Sequence, residues 1–85
     1  MKFKYTKKYL HKGDIVEVDL DNDANVRMMN RENFDKYQEG ESFFRYGGWV
    51  TRSPVHLRVP KTGNWYIVVD LDGKPGHVNF YITIL

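Results

Sequence analysis

Apolar and polar residues alternate with a period of two along most of this chain, and that pattern decides its fold class. In "DIVEVDL", Val16, Val18 and Leu20 would share one face of a strand, with Glu17 and Asp19 on the other. "SPVHLRVP" and "HVNFYITIL" repeat the alternation, and turn residues separate such runs at the spacing of about 8–12 residues that is typical of β-sandwiches. The chain is therefore predicted to be all-β, a small antiparallel β-sandwich of the jelly-roll or immunoglobulin-like type with about seven strands; a small barrel is the alternative.

One segment, "NRENFDKYQEG", has helical rather than strand character. Asn30 can cap a helix at its start, Phe34 and Tyr37 are spaced to share one helical face, and Gly40 can end it. We expect one short helix near residues 31–38 that bridges the two sheets.

Other local patterns predict the limits and positions of individual strands. Pro54 and Pro60 should bracket one strand, because proline cannot donate to a sheet ladder. "KTGN" predicts a hairpin loop, and "WYIVVDL", which is apolar on both faces, predicts a central strand. Asp70 ends that strand, and a half-buried carboxylate needs a partner, so we expect it to pair with an arginine such as Arg52 or Arg58.

The composition narrows the range of functions. At 85 residues the chain should form a single domain, residues 1–85, and the absence of cysteine leaves no disulfide framework or thiolate chemistry. No apolar run approaches the roughly 18 residues that a membrane helix needs, and the lysine-rich start lacks the apolar stretch of a signal peptide, so we expect a cytoplasmic protein without membrane association. The formal net charge of +2 is too small to argue for nucleic-acid binding by itself.

The segment "FFRYGGWVTRSP", Phe43 to Pro54, concentrates aromatic residues, arginines and a glycine pair. A guanidinium can bind a phosphate or carboxylate through two hydrogen bonds, a neighbouring ring can stack on a base or sugar, and glycines let a ligand approach the backbone. The same residues would also suit a bent strand whose rings fill the core and whose arginines face water. The candidate binding residues, two of them from other strands, are Arg27, Arg45, Tyr46, Gly47, Gly48, Trp49, Arg52 and Arg58.

Aspartates two residues apart in "DLDNDAN" could supply oxygen ligands to a calcium ion. These are Asp19, Asp21 and Asp23, although the segment departs from an EF-hand loop, because Ala24 replaces the glycine and Asn30 the bidentate glutamate. Aspartate and asparagine are also common in turns, where they bond to their own backbone. No cofactor is predicted.

Three stretches, "ANVRMMNRENFDKY", "FRYGGWVTRSPVHLRVP" and "GNWYIVVDLDG", together resemble a bacterial family of small domains of unknown function (DUF 1883), and the resemblance covers nearly the whole chain. It implies a compact β-sandwich, found alone or beside a Toll/interleukin-receptor-like domain, and hence a recognition role next to an effector. The family brings no established activity, so the resemblance implies no catalytic residue. The positions that match its recurring pattern are Asn25, Tyr46, Gly47, Gly48, Ser53, Pro54, Pro60, Gly63, Trp65 and Asp70.

These observations favour a non-catalytic binding module over an enzyme. It would recognise a partner protein or a small ligand through the segment from Arg45 to Arg52, with the predicted helix as one wall. The first alternative is nucleotide or nucleic-acid binding by the arginines and aromatic residues. The second is a small metal-free ribonuclease-like enzyme that uses His56 or His77 in general acid–base chemistry. An apolar edge or face such as Trp65 to Val69 could also make a homodimer.

Overall fold

The computed structural model describes residues 3–85, which form seven strands and one helix. Pro54 and Pro60 flank the fifth strand, as predicted. In chain order the elements are β1 (Phe3–Leu10), β2 (Ile15–Leu20), β3 (Ala24–Met29), α1 (Arg31–Glu39), β4 (Tyr46–Val50), β5 (Val55–Arg58), β6 (Gly63–Asp70) and β7 (Phe80–Ile84).

The strands form two sheets in which every pairing is antiparallel. Sheet A has the strand order β1-β6-β3-β4, and sheet B has the order β5-β2-β7. The prediction of an all-β antiparallel sandwich with about seven strands and one short helix is therefore confirmed. The prediction of a central strand is also confirmed, because β6 lies between β1 and β3 and all six residues from Trp65 to Asp70 are buried.

The core lies between the two sheets, where alternate residues of each strand meet. Val16 and Val18 of β2 have no exposed surface, and they pack with Ile67 and Val69 of β6 in one apolar cluster. Burial of a side chain of this size contributes about 1.5–3 kcal/mol. The other buried members of the cluster are Leu10, Ala24, Val26, Met28, Val59, Trp65 and Val78.

Helix α1 packs on the outer face of sheet A. The side chain of Asn30 accepts a hydrogen bond from the Asn33 backbone N–H at its start, and Gly40, with φ of 76°, ends it, as predicted. Phe34 is buried against Tyr66, with the two rings stacked and their centroids 4.3 Å apart. This second apolar layer explains why β6 is buried on both faces. Within residues 3–85 no helix has the length and apolar character needed to cross a membrane.

Three expectations about connections and edges are wrong. Helix α1 does not bridge the sheets, because the strands on either side of it, β3 and β4, are neighbours in sheet A. The segment "KTGN" is not a hairpin loop, because it joins β5 of sheet B to β6 of sheet A. Trp65 to Val69 can provide neither a dimer edge nor a dimer face, because β6 is hydrogen-bonded to a strand on each side and all five residues are buried.

Candidate functional site

The segment from Phe43 to Trp49 distributes its side chains between two sides of sheet A. Phe43 and Arg45 lie on the outer side with α1, where the Arg45 guanidinium carbon is 5.9 Å from the Phe43 ring centroid. Phe44 and Tyr46 lie on the other side, with ring centroids 5.1 Å apart and ring planes at 89°. The predicted binding segment therefore contributes to two separate surfaces.

A buried carboxylate organises the outer face of sheet A. The Asp70 side chain has no exposed surface and accepts hydrogen bonds from Asn25 Nδ2 at 2.8 Å and from Arg27 Nη1 at 2.9 Å. It also accepts from the Tyr37 hydroxyl at 2.7 Å and from the Asp72 backbone N–H at 2.8 Å. A buried charge is tolerated only when it is paired and hydrogen-bonded in this way. The network joins β3, β6 and α1.

Arg27 belongs to this network rather than to a free binding surface. Its side chain is 13% exposed, and its guanidinium carbon lies 5.6 Å from the centroid of the Tyr37 ring. The expectation that Asp70 pairs with an arginine is confirmed, but neither Arg52 nor Arg58 is that arginine. The partner of Asp70 is Arg27, because β3 and not β5 lies beside β6. Burial, and then the hydrogen bond to the carboxylate, raises the pKa of Tyr37 above that of a free phenol.

The four candidate arginines do not share one face. Arg27 and Arg45 are on the outer side of sheet A, whereas Arg58 is on the outer side of sheet B, since its neighbour Leu57 packs against the core. Arg52 is exposed in the loop between β4 and β5. The described structure therefore contains no anion site built from all four.

The fold explains why one of the two paired glycines, Gly47, is a glycine. Gly47 has φ of 92°, a conformation that residues with a side chain rarely adopt, and a Cβ there would overlap the carbonyl oxygen of Val26. A Cβ at Gly48 would meet no atom within 4 Å. The backbone of β4 therefore accounts for glycine at position 47, and a bound ligand is not needed to explain it.

A cleft of about 400 Å³ opens at one end of sheet A, with an aromatic wall. Phe44 is 62% exposed, whereas Trp65 is 7% exposed and donates its indole N–H to the Lys61 carbonyl at 2.9 Å. The Tyr46 ring connects them, because its centroid lies 5.1 Å from that of Phe44 and 5.9 Å from that of Trp65. The exposed ring of Phe44 therefore packs on Tyr46, which in turn packs on the buried ring of Trp65.

Neutral polar side chains surround this aromatic wall. Asn33 Oδ1 accepts a hydrogen bond from the Phe44 backbone N–H at 2.8 Å, which ties the backbone of Phe44 to the start of α1. No aspartate or glutamate of residues 3–85 lines the cleft, and Lys61 is its one charged residue. The polar lining consists of Asn30, Asn33, Thr62 and Asn64.

Sequence reasoning identified little of this cleft. Of the predicted binding residues, only Tyr46 lines it. The capping pattern at Asn30 and the turn containing Thr62 were recognisable as local structure, but no sequence signal indicated that these segments meet beside Phe44.

A second surface combines an aromatic ring with cations on the outer side of sheet A. Trp49 is 41% exposed there, directly across from Asn25 of β3, and the Lys74 ammonium nitrogen lies 4.2 Å from the centroid of its ring. Such a distance is well within the range of a cation–π contact. Arg45, which is also exposed, extends the positive charge of this surface.

The predicted calcium ligands do not form a metal site. Asp19 accepts a hydrogen bond from the Ser53 hydroxyl at 3.0 Å. Asp21 accepts from the backbone and side-chain amides of Asn79, at 2.7 and 2.9 Å, and these bonds lower its pKa. Across residues 3–85, no three histidine, aspartate or glutamate side chains are arranged to hold a metal ion, so Asp23 does not complete a site either.

The histidines of the ribonuclease hypothesis lie in different parts of the fold. His56 Nε2 is 3.0 Å from a carboxylate oxygen of Glu17 on the outer side of sheet B. His77 lies in the connection between β6 and β7, where its carbonyl accepts a hydrogen bond from Asn22. Neither histidine lines the aromatic cleft.

Comparison with known proteins identifies a family without an assigned activity. No curated protein and no solved structure matches the chain. One family, described as "Domain of unknown function (DUF1883)", matches residues 1–85, the whole of the sequence. The chain, with its antiparallel sandwich and aromatic cleft, therefore belongs to the DUF1883 family.

Proposed function

We propose that this domain is a non-catalytic binding module that holds an uncharged, hydroxyl-rich ligand, such as a mono- or disaccharide, in the cleft beside Phe44. The observation that carries the proposal is the lining of that cleft. An exposed aromatic ring lies within a rim of carboxamide and hydroxyl side chains, and no carboxylate of residues 3–85 lines that rim.

The two kinds of cleft residue match the two kinds of surface on a sugar. The C–H face of a sugar ring is apolar and can cover the Phe44 ring, which removes apolar area from water at about 25 cal/mol per Å². The hydroxyl groups donate and accept hydrogen bonds, as do the carboxamide of Asn64 and the hydroxyl of Thr62. The cleft volume of about 400 Å³ lies at the lower end of the range for small-molecule sites.

The absence of acidic residues from this cleft supports binding rather than cleavage. Most glycoside hydrolases place two carboxyl groups on either side of the bond that they break. The charged residue that lines the cleft within residues 3–85 is Lys61, whose backbone carbonyl already accepts the Trp65 indole N–H. The arrangement thus suits a site that holds a sugar without reacting with it.

A titration followed by two-dimensional NMR tests this proposal. Cellobiose, maltose and chitobiose would each be added to the ¹⁵N-labelled domain up to about 10 mM, at which a ligand with a Kd of about 1 mM is mostly bound. We expect at least one sugar to shift the amide signals of Phe44, Lys61 and Asn64. Shifts confined to other parts of the chain, or none with any of the three sugars, would refute the proposal.

Two alanine variants identify the role of the exposed ring. Phe44→Ala should abolish the shifts while leaving the rest of the spectrum folded, because the ring is exposed and contributes little to the core. Tyr81→Ala is the matched control, since Tyr81 is 77% exposed on the outer side of sheet B. Equal loss of binding in both variants, or in neither, would contradict the assignment.

A second candidate function is binding of a nucleotide on the outer side of sheet A. The observation that favours it is the Lys74 ammonium group over the Trp49 ring, with Arg45 exposed on the same side. A base could replace the Lys74 ammonium on the indole ring, and the displaced Lys74 could then meet phosphate oxygens together with Arg45. Titration with AMP and ATP should quench Trp49 fluorescence, and the affinity should fall steeply with added salt. Binding that is independent of salt, or unchanged in Lys74→Ala, would exclude this candidate.

A further inference from the structure

Strand β1 leaves a long edge of sheet A open. All eight of its residues pair with β6, and within residues 3–85 no strand pairs with its other side. In an antiparallel pair, the N–H and C=O groups of every second residue point away from the partner. The open side of β1 therefore presents a regular row of backbone donors and acceptors, to which an additional strand can bind.

The other three edge strands are protected by features that β1 lacks. Strands β4, β5 and β7 are only five, four and five residues long. Prolines flank β5, and the positive φ of Gly47 distorts β4. Strand β1, with the sequence "FKYTKKYL", contains neither proline nor glycine, and its only protection is charge.

That charge protects the edge against some partners only. Lys4, Lys7 and Lys8 would repel a second copy of β1, but they would attract a strand with carboxylate side chains. None of the three forms an ion pair with a carboxylate of residues 3–85. Lys4 shares an open pocket with Asp19 and Asp21, so Lys7 and Lys8 carry most of the charge that is left free.

Exposed aromatic rings accompany the lysines. Tyr5 and Tyr9 are 52% and 62% exposed, and by alternation both lie on the same face of β1 as Lys7. Lys8 lies on the opposite face, since it pairs with Trp65 of the core. A strand added beside β1 would thus meet a cation on each face and apolar area on one.

We propose that the open edge of β1 binds an acidic, extended segment of a partner protein, which becomes a fifth strand of sheet A. Backbone hydrogen bonds provide the attachment, and the lysines select for carboxylates on both faces of the incoming segment. No residue of β1 lines the aromatic cleft, so this proposal does not depend on the one made for that cleft.

Amide hydrogen exchange with model peptides tests the proposal. The probes are an octapeptide in which pairs of glutamates alternate with pairs of valines, so that an extended strand carries carboxylates on both faces, and its counterpart in which lysine replaces every glutamate. We expect the glutamate peptide to slow exchange at every second amide of β1, which is the pattern that strand addition requires. The lysine peptide should have no effect. Protection by both peptides, by neither, or at amides outside β1 would overturn the proposal.

Charge-reversal variants identify the lysines that select the partner. Lys7→Glu/Lys8→Glu should weaken binding of the glutamate peptide about tenfold or more and allow the lysine peptide to bind. Arg52→Glu/Arg58→Glu, which makes the same change in net charge on β5 and the loop before it, away from β1, should leave the affinity within about threefold. Equal effects of the two double variants would show that only net charge matters and would overturn the proposal.

Two further outcomes would show that the open edge of β1 binds something other than an acidic segment of a partner protein. If inorganic polyphosphate shifts the same amides without the alternating protection, the edge is a general polyanion surface. If the domain alone forms dimers that protect the open side of β1, the occupant is a second copy of the chain.

Discussion

Replacement of Arg27 by methionine should strongly destabilise the fold, although it leaves the apolar core unchanged. Arg27 donates to the buried carboxylate of Asp70 at 2.9 Å, and the two side chains are 13% and 0% exposed. Removal of one partner of such a pair costs about 3–5 kcal/mol, because the other charge stays buried. Asn25, Tyr37 and the Asp72 backbone still donate to Asp70, so we expect the lower end, about 3 kcal/mol.

A loss of this size is large for so small a domain. At about 0.05–0.15 kcal/mol per residue, the whole chain has a free energy of unfolding of about 4–12 kcal/mol. Urea denaturation followed by tryptophan fluorescence should therefore show a much lower midpoint for Arg27→Met with an unchanged slope. Arg45→Met is the control, because Arg45 is exposed, and it should change stability by no more than about 0.5 kcal/mol.

A double-mutant cycle separates the pairing from other effects of the substitution. In an Asp70→Asn background, where the buried charge is absent, Arg27→Met should cost at least about 1 kcal/mol less than in the wild type. Additive effects of the two substitutions, or a loss below about 1 kcal/mol for Arg27→Met alone, would refute the assignment of this pair as the support of the outer face.

Four other substitutions test the fold in the same urea assay. Gly47→Ala should cost about 2 kcal/mol or more, because φ is 92° and a Cβ would overlap backbone, whereas Gly48→Ala should change stability by less than about 1 kcal/mol; equal effects would contradict this. Trp65→Ala should cost about 3–5 kcal/mol, and little loss would show that the indole is not a core residue. Tyr37→Phe should lose about 1.5–3 kcal/mol at pH 7, where the hydrogen bond to Asp70 is present. The pKa of Tyr37 is raised in the folded state, so this contribution to stability is complete below about pH 10 and is lost as the pH rises further. The free energies of unfolding of the wild type and Tyr37→Phe should therefore approach each other above about pH 10. A difference that stays constant with pH would contradict the raised pKa.

The parts of the fold that local sequence determines were predictable. Alternation in β2 and β7, the prolines that flank β5, and the caps at Asn30 and Gly40 each depend on a few neighbouring residues. The central position of β6 also followed from its own composition, because a strand that is apolar on both faces must be covered on both.

The features that depend on strand order were not predictable. The pairing of Asp70 with Arg27 requires β3 beside β6, which nothing in either segment reveals. The aromatic cleft likewise requires the start of α1 to meet the connection between β5 and β6 next to Phe44. Sheet membership depends on contacts between distant segments, so single-sequence patterns could not assign it.

The position of β6 in sheet A has a consequence for how the domain forms during synthesis. Strands β1 and β3 both pair with β6, and the register joins Phe3 to Asp70, near opposite ends of the chain. A nascent chain that has not yet emerged beyond Asp70 cannot assemble sheet A, whatever its N-terminal strands do. Pairing between such distant segments also makes folding slow. We therefore expect sheet A to form only after Asp70 has left the ribosome, and shorter nascent chains to expose apolar strands that chaperones would have to cover.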